Sequence, residues 1–94
     1  MSLRIGITMR ETHAQNYFEP RDSLARDWPN FLNLIFPNEK WMFIPNIGEK
    51  AVELFEKWDL NVLILSGGDN IGVSPERDKT EELLLKHAVS NEIP

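Results

Sequence analysis

Apolar residues near the start of the chain alternate with polar ones: Leu3, Ile5 and Ile7 against Arg4, Gly6 and Thr8. A period of two marks a strand at a domain start. Thr12 to Pro20 has no sustained period, includes Tyr17 and Phe18, and reads as a loop leaving the carboxyl end of that strand. From Arg21 the spacing changes. Leu24, Trp28, Phe31, Leu32 and Ile35 fall at i, i+4, i+7, i+8 and i+11, one stripe of an amphipathic helix. Pro29 lies inside this pattern, where an interior proline costs about 3 kcal/mol. Either the helix kinks there, or a turn ends at Asp27 and Pro29 occupies the first turn of the helix proper.

Trp41 to Ile44 is a short apolar run closed by Pro45, a second strand whose brevity and proline suggest a sheet edge. Asn46 and Glu49 resemble a capping pair for a second helix, with the stripe Ile47, Ala51, Leu54, Phe55 and Trp58. Leu60 to Leu65 contains four consecutive apolar residues from Val62, as expected of a strand covered on both faces. After the turn at Ser66-Gly67-Gly68, a third helix starts at Ser74-Pro75 or at Asp78 with Glu81, and buries Leu84, Leu85 and Ala88. His87, late in that helix, reads as a solvated residue near a helix end, and Ile93-Pro94 as the start of a further strand. The order β-α-β-α-β-α makes residues 1–94 part of one α/β domain: a flavodoxin-like, three-layer α/β/α arrangement with a parallel sheet of order 2-1-3.

Charge and composition remove several function classes. The net charge is −5 and no dense run of Lys or Arg occurs, so neither nucleic acid nor an anionic membrane surface is an expected partner. No apolar run approaches the roughly 18 residues of a membrane span, and no export signal opens the chain, so a cytoplasmic location is expected. The absence of cysteine excludes disulfides and thiolate metal sites. His13 and His87 lack companions at metal-ligand spacing, and neither a metal nor a cofactor is implied. A chain this short buries only about 60% of the surface its unfolded form exposes, which makes its stability marginal.

The most informative segment is ILSGGDNIG, Ile64 to Gly72. A hydrophobic strand ending in two glycines exposes backbone N–H groups at the carboxyl edge of the sheet with no side chain to block a ligand. Read from spacing alone, this is a plain turn after a strand or an anion-binding turn. It is neither a Walker P-loop, which needs a following Gly-Lys-Ser/Thr, nor a dinucleotide fingerprint. Met9-Arg10-Glu11 after the first strand replaces the acidic pair of a phosphoacceptor receiver domain, which sets that reading aside.

RIGITMR at the start, Arg21-Asp22, Ile44-Pro45-Asn46, ILSGGDNIG, and Arg77-Asp78 with Glu81 ahead of a leucine-rich helix together resemble the gamma-glutamyl hydrolase branch of class I glutamine amidotransferases. The likeness runs through essentially the whole chain. Ser66-Gly67-Gly68-Asp69-Asn70 stands where members usually read Ser-Gly-Gly-Asn-Asp, and the short stretch from Asn70 to Arg77 most resembles gamma-glutamyl-CDP-amidate hydrolases. The resemblance implies a fold half, with a Gly-x-Cys-x-Gly elbow and a His-x-Glu pair carried by later sequence of a longer parent protein. It implies that the backbone N–H groups of Gly67 and Gly68 are oxyanion donors and that the substrate is a small gamma-glutamyl amide. Arg10, Tyr17 and Arg21 lie at or near the same edge, to hold an anionic part of the substrate or to remain in a solvated loop. Arg77, Asp78 and Glu81 read as an ion-pair cluster fixing the third helix. On this view the 94 residues alone are inactive, and they self-associate or pair with a missing carboxyl-terminal half. The competing expectation is a non-catalytic α/β binding or interaction module complete at 94 residues.

Overall fold

The computed structural model describes residues 2–13, 16, 18–66 and 75–94. Among these residues the elements run, in chain order, β1 (Arg4–Thr8), β2 (Arg10–His13), β3 (Pro20–Ser23), α1 (Asp27–Ile35), β4 (Lys40–Ile44), α2 (Glu49–Lys57), β5 (Val62–Ile64) and α3 (Pro75–Ser90). β1 is the centre of a parallel three-stranded sheet ordered β4-β1-β5. The architecture is therefore α/β. Its register sets Gly6 beside Met42 on one side and Leu63 on the other.

Alternation along β1 assigns the two faces. A Cβ on Gly6 would meet Ile44 Cδ1 at 2.5 Å, Leu60 Cδ1 at 2.9 Å and Phe55 Cε2 at 3.2 Å, so Gly6 faces α2. Glycine is used here because the Phe55 ring and its neighbours close directly onto the backbone. This face holds the core of Ile44, Ala51, Phe55, Leu60 and Leu84, with Met42, Val52, Leu63 and Ile93 packed around it. Ile5 and Ile7, both fully buried, take the opposite face by the period of two. Trp41, which shares that parity on β4, donates from Nε1 to Asn33 Oδ1 of α1 at 3.1 Å, so α1 lies on this second face.

Pro29 occupies the first turn of α1, where its missing N–H has no intrahelical acceptor to lose. The helix begins at Asp27 and not at Arg21, because Pro20–Ser23 pairs antiparallel with Arg10–His13. Thr12 to Pro20 is accordingly not all loop: Thr12, His13 and Pro20 belong to this hairpin. Its rungs join polar residues, Glu11 to Asp22 and Thr12 to Arg21, so no apolar alternation announces it. Within the α1 stripe only Leu32 is buried; Phe31 and Ile35 remain exposed.

The N-cap of α2 is Gly48, at φ +64°, in place of an Asn46–Glu49 capping pair. Its N–H is taken by Thr80 Oγ1 at 2.9 Å, so tertiary contact replaces the local cap. β5 lies at the sheet margin, and Val62, Leu63 and Ile64 are half-buried; they are not covered on both faces. On α3, Leu84 and Ala88 are buried as expected, whereas Leu85 is exposed and Arg77 and Thr80 are buried instead. His87 is also drawn inward: its side chain is 18% exposed and its ring meets Phe55 edge-on at 5.8 Å. The Leu63 N–H donates to the Pro94 carbonyl at 2.9 Å, which lays the last residue against β5. No helix among the described residues is long and apolar enough to cross a membrane.

Candidate functional site

The carboxyl ends of β1, β4 and β5 meet the hairpin and the first turns of α3, and polar side chains bind them together. Thr8, fully buried at the end of β1, donates from Oγ1 to Glu81 Oε2 at 2.8 Å and accepts the Ser66 N–H at 3.0 Å. Arg77, only 3% exposed, donates from Nη2 to the same Glu81 oxygen at 3.1 Å and from Nε to the Met9 carbonyl at 3.2 Å. A guanidinium buried this deeply is costly unless its charge is met, and Glu81 supplies the opposite charge while the Met9 carbonyl, just past β1, takes a further N–H. Ser66, the residue leading into the glycine pair, is thereby tied to the central strand.

A second knot forms at Asn46. Its main-chain N–H donates to Asp22 Oδ2 at 2.8 Å, and its side-chain Nδ2 donates to Asp22 Oδ1 at 2.8 Å and to the Met9 carbonyl at 3.1 Å. Thr80 closes the third link, accepting from Gly48 N and donating to the Glu76 carbonyl at 2.7 Å. Between the hairpin and α3 lies a cavity of about 430 Å³, lined in part by Glu11, Asp22, Asn46 and Glu76. His13 Nε2 stands 3.0 Å from Glu11 Oε2 on its wall.

Of the residues singled out in the sequence, Gly67, Gly68 and Tyr17 lie outside the described residues. Arg10 is on β2 and Arg21 on β3, both exposed, and Arg21 pairs with Glu19. Arg77 and Glu81 are joined 3.1 Å apart; Asp78 is half-buried beside them on α3 and, with Leu65 and Leu85, lines a separate hollow. No local pattern in the sequence points to Thr8, Asp22, Ser66 or Thr80 in these contacts, and for Asn46 the sequence suggests a cap. One signal of position is in the sequence: Thr8 closes the alternating β1 segment and Asn46 follows Pro45 just past β4, both at the edge where open α/β sheets place ligands.

The arrangement is a braced platform. Glu81 is engaged by both Thr8 and Arg77, which suits it to positioning more than to proton transfer. No group of three His, Cys, Asp or Glu side chains among the described residues is placed to hold a metal ion. None of the protein-family models, curated proteins or solved structures compared with this chain matches it.

Proposed function

We propose that this chain is the amino-terminal part of a gamma-glutamyl amide hydrolase of the glutamine amidotransferase type, its sheet being half of a flavodoxin-like α/β/α layer. The observation that carries the reading is the Ser66 N–H bond to Thr8 Oγ1, braced in turn by Glu81 and Arg77. It anchors the entry to Gly67-Gly68 at the carboxyl end of the central strand, where a preorganised pair of backbone donors would serve an oxyanion.

In this reading a thiolate supplied by sequence beyond Pro94 attacks the gamma-carbonyl carbon. Negative charge develops on the carbonyl oxygen, and the N–H groups of Gly67 and Gly68 receive it. Collapse expels the amine, which takes its proton from the histidine of the later His-x-Glu pair, and water then cleaves the thioester to release glutamate and the free thiol. Removing one oxyanion-hole donor costs about 2.7–4 kcal/mol in enzymes where it has been done. Arg10, Tyr17 and Arg21 would hold an anionic part of the substrate.

The test is expression of the extended reading frame and assay of gamma-glutamyl amides for glutamate release. Activity is expected in the extended protein and none in the 94-residue chain, which has no thiol. Gly68→Ala in the extended protein should lower kcat far more than it raises KM, since the oxyanion exists only after attack. Glutamate release by pure 94-residue chain would sink the mechanism, and an extended frame without a Gly-x-Cys-x-Gly segment would favour a binding module.

A further inference from the structure

His87 stands between two alternative partners. It lies in the last turn of α3, with its side chain 18% exposed and its ring edge-on to Phe55 of α2 at 5.8 Å. Asn91 Nδ2 donates to the His87 carbonyl at 2.8 Å and stands 3.3 Å from His87 Nδ1. The first bond fixes the orientation of the amide, because the flipped form would set oxygen against oxygen. A ring nitrogen facing an amide donor acts as an acceptor, so Nδ1 carries no proton here and the ring is neutral, with its hydrogen on Nε2. Glu56 Oε1, on α2, is 3.9 Å from the same Nδ1, beyond hydrogen-bond reach.

Protonation reverses these roles. Nδ1–H is a donor, which an amide N–H cannot accept and a carboxylate can. The hollow beside the ring, about 300 Å³, brings Glu56 and Asp59 to it, and no lysine or arginine lines it among the described residues. Asp59 is engaged with Arg4 at 3.3 Å, and Lys86, the neighbour of His87 in the chain, with Glu82 at 3.0 Å. Glu56 is therefore the carboxylate left for the imidazolium, and the carbonyl end of α3 also favours a cation there.

Asn91 opens the turn that carries the chain off α3. Its main-chain N–H donates to the His87 carbonyl, the Ile93 N–H returns to the Ala88 carbonyl, and the Pro94 carbonyl takes the Leu63 N–H of β5. Losing the ring as a partner of the Asn91 side chain loosens the turn that sets Ile93 and Pro94 against the sheet. We propose that His87 is a proton-operated latch at the end of α3: neutral, it holds the Asn91 turn; protonated, it releases that side chain and ties α3 to Glu56 of α2. The latch does not depend on the gamma-glutamyl reading.

The test is an NMR titration of the whole 94-residue chain across the range in which histidines exchange their protons, from about pH 8 to about pH 5.5. At the alkaline end His87 Nδ1 should give the signal of an unprotonated ring nitrogen. On acidification the Asn91 side-chain amide and the Glu56 carboxyl carbon should move with the His87 ring and not with His13, which lies on β2. Hydrogen-exchange protection of the Leu63 and Ile93 amides, corrected for the intrinsic rate, should fall about fivefold, the worth of one neutral hydrogen bond. Asn91→Ala has no side chain to release, so its protection should start low and fall no further as His87 titrates. A hydrogen on Nδ1 at the alkaline end, Asn91 or Glu56 signals that do not follow His87, or the same fall in Asn91→Ala would each overturn the proposal. If that variant frays, the ring tautomer and the wild-type Asn91 signals decide by themselves.

Discussion

The two faces of the sheet are built to different standards. On the α2 and α3 side, Ile44, Ala51, Phe55, Leu60 and Leu84 interlock, and the fit is tight enough that Gly6 must lack a side chain. On the α1 side Ile5, Ile7 and Leu32 are fully buried, but Phe31, Leu34 and Ile35 project outward, Leu34 with 78% of its surface exposed. Stability is therefore concentrated on the α2 and α3 face, although apolar surface remains exposed on both layers, Val89 and Trp58 among it on the α2 and α3 side. Helical amphipathicity alone does not guarantee burial: it requires a surface of matching size, and a three-stranded sheet offers α1 only part of one.

The strongest test of this asymmetry compares truncations on the two sides. Phe55→Ala should cost about 3–5 kcal/mol in urea unfolding, enough to leave a chain of this size largely unfolded. Leu34→Ala should stay within about 0.5 kcal/mol, as exposed substitutions do. Comparable losses at both sites would show that α1 contributes as much to the core as α2. A smaller effect is expected from Gly6→Ala. The new methyl group presses on the tips of Ile44, Leu60 and Phe55, and overpacking of that sort costs about 1–3 kcal/mol, read as a lowered urea midpoint at constant slope. A rise in midpoint would mean that the tight face has slack. A modest effect is expected of Trp41→Phe, which removes the exposed bond to Asn33 while keeping an aromatic ring beside Phe43, and should cost no more than about 1 kcal/mol. A larger loss would identify that bond as the principal fastening of α1.

The same division separates what was readable in the chain from what was not. Apolar alternation at Leu3 to Thr8 and the unbroken run from Val62 located β1 and β5, and the stripe through Ala51 and Phe55 located α2. β1 and α2 each have a period imposed by one buried face, whereas β5 shows only as an unbroken apolar run. Pro29 left the start of α1 undecided between two readings, and the hairpin settled it by claiming Pro20–Ser23 for a strand. That hairpin joins polar rungs, so hydrophobic pattern carries no trace of it.

At the carboxyl edge, the residue types that predicted an Arg77–Glu81 pair are four apart on one helix, a spacing any helix brings together. Thr8 and Glu81 are 73 residues apart in sequence, and Asp22 and Asn46 are 24 apart. Neither pairing has a periodicity. Periodic burial and the i,i+4 pairing of Arg77 with Glu81 are written in neighbouring residues, and the sequence by itself determines them. The partners of Thr8 and the reassignment of Asn46 from cap to brace were decided only when the strands and α3 converged. Buried hydrogen bonds are satisfied by whatever the fold brings within about 3 Å, however far away in the chain.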